Sequence, residues 1–405
     1  MAQPAATAVP LPTFSEAERS RRWRETRERM AAAGIGGLAM PPSGGYTHRH
    51  LANQRYLSQV GGNQCPVGMV FPLDGEPTLI VPTRAEIAQW QRISWVQDLR
   101  DSGGARPGRV MAQRLRELKL SSATIGVPFL SGDGESPLPI GVLDALRAEL
   151  PGARLVDATA LMETLRATKS DEEIAMLERA VRAAEWGIFS LGYSVHSGLD
   201  QPEALGILEG GILKAGGELG SRILWECSAS PTGAWWHAYH EPMRRGEVLQ
   251  NEIQARVAGY GGLEVHPICV GKPPQAVYEM FELSARIFDE ALPLLKPGAS
   301  VSDVAQLAQR AAGGTPYHAS IEVQSCGLAL EAIGEAYRGR QAVALRPVIR
   351  ADDGLTIGFS STVVVTTDGG RRLGKRPIEL MLTSRSFMTP YLDSKRVGPS
   401  APWLV

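Results

Sequence analysis

Between residues 246 and 271 the chain reads GEVLQNEIQARVAGYGGLEVHPICVG. Val248, Ile253, Ala255 and Val257 alternate there with polar Gln254 and Arg256, the period-two pattern of a strand. Gly259, Gly261 and Gly262 predict a turn, because glycine takes positive φ at no steric cost. Leu263, Val265 and Ile268 open a second apolar run, so the stretch predicts a hairpin. It carries Glu252, Arg256, Glu264 and His266, acid and base groups that point either to a site or to a solvated outer face.

The rest of the chain divides around this hairpin. Residues 15–33 predict a helix with a Ser15 N-cap, closed by Gly34, whose many arginines suggest a solvated face. Strands are expected at 35–40, 67–71, 78–81 and 124–127, and helices at 84–91, 110–118 and 139–150. Strands alternating with helices predict an α/β domain over residues 15–160, preceded by an extended arm at 1–14. A helical linker follows, in which Ser170 and Glu173 form a capping box. A second domain is expected over 161–405. Its helices are placed at 202–215, 277–295 and 301–312, and its strands at 223–228, 320–323, 343–348, 355–357 and 362–367, with an irregular tail from Pro377.

Composition narrows the function. The 405 residues carry a formal net charge of −1, which argues against an electrostatic binder of nucleic acid or membrane. Cys65, Cys227, Cys269 and Cys326 show no CxxC spacing, which fits a reducing compartment and a cytoplasmic protein. The N-terminal residues lack the basic and apolar regions of a secretory signal, and no apolar run is long enough to span a bilayer.

Several stretches carry a resemblance. RRWRETRERMAAAGIGGLAM, Asn53-Gln54-Arg55-Tyr56-Leu57-Ser58, Arg166 through Ile174, Leu295 through Asp303, and Val363-Val364-Val365-Thr366-Thr367-Asp368-Gly369-Gly370 resemble the creatinase/prolidase/aminopeptidase P superfamily, over nearly the full length. The resemblance implies an α/β (α+β) protein. Its parts would be an N-terminal creatinase-like domain and a C-terminal pita-bread domain, with a curved, mainly antiparallel sheet covered by helices.

The superfamily's peptidases bind two divalent metals through two Asp, one His and two Glu, hard donors for hard cations. On this chain the resemblance places Glu252 and Leu263 at the two Asp positions and Cys326 at the His. It places Arg346 and Ser360 at the two Glu positions. One carboxylate of five ligands remains, so no dinuclear metal centre and no cofactor are expected.

Creatinase resembles the chain and hydrolyses a C–N bond without metal, with a histidine and carboxylates. The corresponding loop, residues 230–242, offers His237 first and His240 second as general base. Glu252 or Glu264 could orient it, and Arg346 could stabilise an oxyanion or bind an anionic group. His266 stands where the family pattern often has Arg, and His318, Glu322 and Cys326 could line the same cavity. Cys326 reads as a nucleophile or as packing. Trp235, Trp236 and Tyr239 could form an aromatic cage for a cation, or ordinary packing.

These readings converge on a metal-independent hydrolase acting on a C–N bond of a small cationic or zwitterionic metabolite. A lyase on an onium-type metabolite and a binder that has lost its metal site are the alternatives, with an Xaa-Pro metallopeptidase last. The resemblance also implies a homodimer in which the partner completes the site, with His48, His50, Asn63, Gln64 and Cys65 as contributors.

Overall fold

The computed structural model describes residues 12–42, 51–61, 66–103, 106–130, 138–218, 222–234 and 237–383. The expectations for residues 1–11, His48, His50, Asn63, Gln64, Cys65, Trp235 and Trp236 lie outside the described residues. Two compact units divide between Met162 and Glu163.

In the first unit, β1 (Gly37–Met40), β2 (Gly68–Pro72), β3 (Thr78–Val81), β4 (Asp98–Asp101), β5 (Thr124–Val127) and β6 (Arg154–Asp157) form one mixed sheet, in the order β4-β3-β2-β1-β5-β6. The chain also forms helices α2 (Ala52–Ser58) and α3 (Arg84–Trp90), while α4 (Pro107–Glu117) and α5 (Ile140–Glu149) bury Met111, Leu115, Val142 and Leu146 against the sheet, and α6 (Thr159–Ala167) follows β6 in sequence. β4 and β6 escape the pattern reading because they are short, polar edge strands. Helix α1 (Glu16–Ala32) starts where Ser15 accepts a hydrogen bond from the Glu18 N–H at 3.1 Å. Its arginines are not all solvated. Arg22 is fully buried, bonded to Glu18 at 2.7 Å and stacked over Phe14 and Tyr56, which satisfies a guanidinium inside a core.

The second unit is built on two half-sheets. One holds β7 (Arg222–Ser228), β8 (Val248–Val257), β9 (Tyr260–Val265), β10 (Ile268–Cys269) and β16 (Met381–Leu382). The other holds β11 (His318–Ser325), β12 (Ala342–Arg350), β13 (Thr356–Gly358), β14 (Ser361–Thr366) and β15 (Gly369–Arg372). Isolated bridges Gly261–Gly327 and Val265–Ser360 tie β9 to the second half-sheet. Helices α7 (Asp171–Ser194) and α8 (Gln201–Lys214) cover the first half, and α9 (Gln275–Ala291) and α10 (Val301–Ala312) the second. The capping box forms at the head of α7, with Ser170 accepting from the Glu173 N–H and the Glu173 carboxylate accepting from the Ser170 N–H. β16 pairs with β10 inside the tail expected to be irregular; two residues are too few to show a period.

The central hairpin forms, with two corrections. Its turn is Ala258-Gly259 alone, both at positive φ, the two-residue geometry that matches strand twist. Gly261 and Gly262 belong to β9. A Cβ on Gly262 would meet Val181 Cγ2 of α7 at 2.5 Å, so glycine is needed there for close packing. Both strands are buried throughout, so the alternation separates two interior faces rather than core from solvent.

Candidate functional site

Strand register decides which side chains share a face, because directly paired residues point the same way and neighbours point opposite ways. Ile253 packs with Ala184 and Ile188 of α7, and its register partner is Glu264. Glu264 therefore faces the helices. Glu252, paired with Val265 and Leu224, faces the other way, onto an inner face. In the second half-sheet Leu345 packs with Phe281 of α9 and is partnered by Ser361. Arg346 and its partner Glu322 thus share the inner face, as do Thr362 and Ser360. The structure places Glu252 and Glu264 on opposite faces, so they cannot substitute for each other.

The inner face carries a chain of ion pairs. Arg222 Nη1 lies 2.9 Å from Glu252 Oε1, and Arg346 Nη1 lies 3.2 Å from Glu252 Oε2. Arg346 Nη1 is also 3.3 Å from Glu322 Oε2, and Arg350 follows at 3.9 Å from Glu322 Oε1. The pair Glu252–Arg346 is largely buried and stitches the two half-sheets together.

These residues do not fit a divalent metal pair. Glu252 is already neutralised by two guanidiniums, and Leu263 has no donor atom. Burial pushes the Cys326 thiol up to about 12, so it stays protonated, 3.9 Å from Thr362 Oγ1. Burial disfavours the thiolate, so Cys326 is not an activated nucleophile, and its side chain packs in the interior. Among the described residues no group of three His, Cys, Asp or Glu is arranged to hold a metal.

Behind the sheet, on the helix-covered side, Glu264 Oε1 accepts from Ser361 Oγ at 3.0 Å and from the Thr362 N–H at 3.1 Å. Its Oε2 lies 3.7 Å from His266 Nε2. Burial, reinforced by Glu185 of α7, pushes the Glu264 carboxyl up to about 8. Burial and the guanidiniums of Arg376 and Arg372 hold His266 well below its usual range. His266 stands edge-on to Phe359, with ring centroids 4.9 Å apart. This Glu–His pair is enclosed by protein, away from the face on which Glu252 and Arg346 lie.

The loop after β7 is tied to the inner face at its start. Glu226, on the same face as Glu252, accepts from the N–H groups of Thr232 and Gly233 at 2.8 and 2.9 Å, and the Thr356 N–H donates to the Pro231 carbonyl at 2.7 Å. His237 and Tyr239 beyond that anchor are exposed. His240, 88% exposed, has Nδ1 2.8 Å from Asp200 Oδ2. Asp200 occupies the N-cap of α8 but makes no capping bond; its carboxylate turns to His240 instead. The sequence reading missed Asp200, because an Asp before a helix signals a cap. His318, the register partner of Arg350, stands at the exposed end of the same face and is paired with Asp352 at 3.1 Å.

A model described as the creatinase/prolidase N-terminal domain matches residues 22–168, and one described as metallopeptidase family M24 matches residues 175–366. The chain belongs to the creatinase/prolidase superfamily. Among curated members, the hydrolase/peptidase y4tL of Sinorhizobium fredii is 28% identical over 42% of this chain and 44% of its own length, so the match spans less than half of that relative. Creatinase from a Bacillus species is 24% identical over 73% of this chain and 70% of its own. Among solved structures, the X-Pro aminopeptidase of Thermotoga maritima superposes with a TM-score of 0.76 at 15% identity, over 89% of this chain and 99% of that one. The Xaa-Pro dipeptidase of Bacillus anthracis gives 0.74 at 19%, over 90% and 100%. At such identities the likeness is one of fold, and the fold is that of the pita-bread superfamily. Among the described residues, no helix is long and apolar enough to cross a membrane.

Proposed function

We propose that this superfamily member is a metal-independent hydrolase that cleaves a C–N bond of a small polar metabolite. The observation that carries the reading is the ion pair Glu252–Arg346. Two positions that the family resemblance assigns to metal-binding carboxylates hold a carboxylate and a guanidinium bonded to each other. A fixed guanidinium offers N–H donors to charge developing on a carbonyl or amidine, without reorganisation during reaction. The likeness to creatinase across most of both chains supports the same chemistry.

His237 is the general base in this reading. It stands four residues beyond Gly233, whose N–H is fixed to Glu226. His240, held by Asp200, secures the far end of the loop. The base takes a proton from water, the hydroxide adds to the carbon beside the Arg346 guanidinium, and the leaving nitrogen receives the proton as the C–N bond breaks. We take the working form to be a cytoplasmic homodimer.

The test is turnover on a panel of guanidino acids, cyclic amidines and dipeptides in ¹⁸O-labelled water with chelator present. Hydrolysis places labelled oxygen in the product. Product without label would mean elimination and would overturn the assignment.

A further inference from the structure

The ion-pair chain on the inner face is unbalanced. It contains three guanidiniums, Arg222, Arg346 and Arg350, and two carboxylates, Glu252 and Glu322. The other strand-borne charges on that face leave the excess of one positive charge unchanged: Glu226 offsets Arg256, and Arg371 is paired with Glu178 of α7 at 2.7 Å. The middle pair is buried, while the two terminal guanidiniums are half exposed, Arg222 at 49% and Arg350 at 55% of the side chain. Charge of one sign, presented to solvent at the edge of a low-dielectric floor, draws in an anion.

The two ends are not equivalent. Arg350 is the register partner of Thr356, which anchors the start of the histidine loop, so a group bound there lies directly beneath the loop. Arg222 is four residues from Glu226 on β7, which puts it about 13 Å along the strand from the loop anchor. Between them lie Glu252 and Arg346. Only Nη1 of Arg222 is taken up by Glu252, and the remaining N–H groups of its fork suit a two-pronged bond to a carboxylate. Next to it the inner face is apolar, with Leu224 on the same strand and Leu263 beside its partner Gln254. The fully buried hydroxyl of Ser360 points to the same face and has no hydrogen-bond partner among the described residues.

We infer that Arg222 is the docking point for a carboxylate of the substrate, a small carboxylic acid with an apolar or methylated body. The acid group is held at Arg222, the body lies over Leu224 and Leu263, and the C–N bond comes over Arg346, within reach of the loop. The inference rests on the proposed function for its orientation, but the binding site stands on the charges alone.

The test uses acetate as the minimal carboxylate and acetamide as the neutral control, followed by ¹⁵N NMR of arginine side chains in the full-length protein. Arg222→Gln assigns the Arg222 Nε signal. Acetate should shift that signal saturably and acetamide should not. Calorimetric titration with acetate should show binding weakened at least tenfold in Arg222→Gln, weakened less in Arg222→Lys, and unchanged in Arg350→Gln. No saturable shift, or a shift confined to Arg350, would overturn the inference. Because acetate binding needs no turnover, failure here with hydrolysis intact would refute the docking point only. Binding here with no hydrolysis of any substrate would refute the proposed reaction only.

Discussion

Glu252 Oε2 and Arg346 Nη1 lie 3.2 Å apart across the seam between the two half-sheets. Arg346 is held on its other side by Glu322 at 3.3 Å, and Glu252 by Arg222 at 2.9 Å. Each buried charge thus has a partner on both sides. Removing one member leaves the other desolvated with half its compensation, which costs far more than losing a surface pair.

Arg346→Met should therefore destabilise the protein by about 3 kcal/mol, and the double variant Glu252→Met/Arg346→Met should recover a large part of that. Urea denaturation of the wild type, both singles and the double gives the coupling energy. Additive effects would mean that the pair contributes nothing. On the proposed mechanism both Arg346 variants should also lose turnover, because the guanidinium assigned to stabilise the developing charge is gone.

Glu264 gives a pH dependence with a definite sign. Its folded carboxyl is raised to about 8 from an ordinary value of 4.5, so across that window the native state keeps a proton that the unfolded chain releases. Its contribution to stability is complete below about 4.5 and is lost as the pH rises through 8. Burial raises Glu185 in the same direction. Glu264→Gln keeps an oxygen to accept from Ser361 and Thr362 and removes the titration. The variant should show a flatter profile of Tm against pH and a higher Tm than wild type at pH 8. An unchanged slope would show that Glu264 does not titrate there.

The loop histidines should separate in kinetics. His237→Asn should lower kcat by at least about 100-fold, the usual worth of a general base. His240→Gln and Asp200→Asn should lower it much less, and to a similar extent as each other, because both break one contact. Full turnover in His237→Asn would remove it as the base.

Gly262→Ala should cost about 1–3 kcal/mol by overpacking, since its Cβ would meet Val181 of α7 at 2.5 Å. Val181→Ala should partly rescue it. Paired thermal melts of the two singles and the double decide this.

Much of this architecture is legible in the residues. Period-two alternation marked the hairpin, and Ser170 with Glu173 marked the head of α7. Alternation alone did not reveal that both hairpin faces are interior, because burial of the polar face depends on a half-sheet that begins only at His318, far downstream of Val265 in the chain. For the same reason Glu252 and Glu264 read as alternatives until register put them on opposite faces. Arg22 read as solvated because nothing in its own helix announces Tyr56 and Phe14. Asp200 was not singled out, because its partner His240 is 40 residues away. In each case the local pattern was sound and a distant contact decided the role.

On the proposed mechanism the inner face works through Arg346 and a loop histidine rather than through metal. Elemental mass spectrometry on protein purified without nickel or chelator, with turnover measured before and after dialysis against EDTA, tests it most directly. The protein should carry less than one divalent metal per chain and show undiminished hydrolysis after dialysis. Two tightly held metals per chain, with turnover lost on chelation and restored by adding metal back, would contradict it.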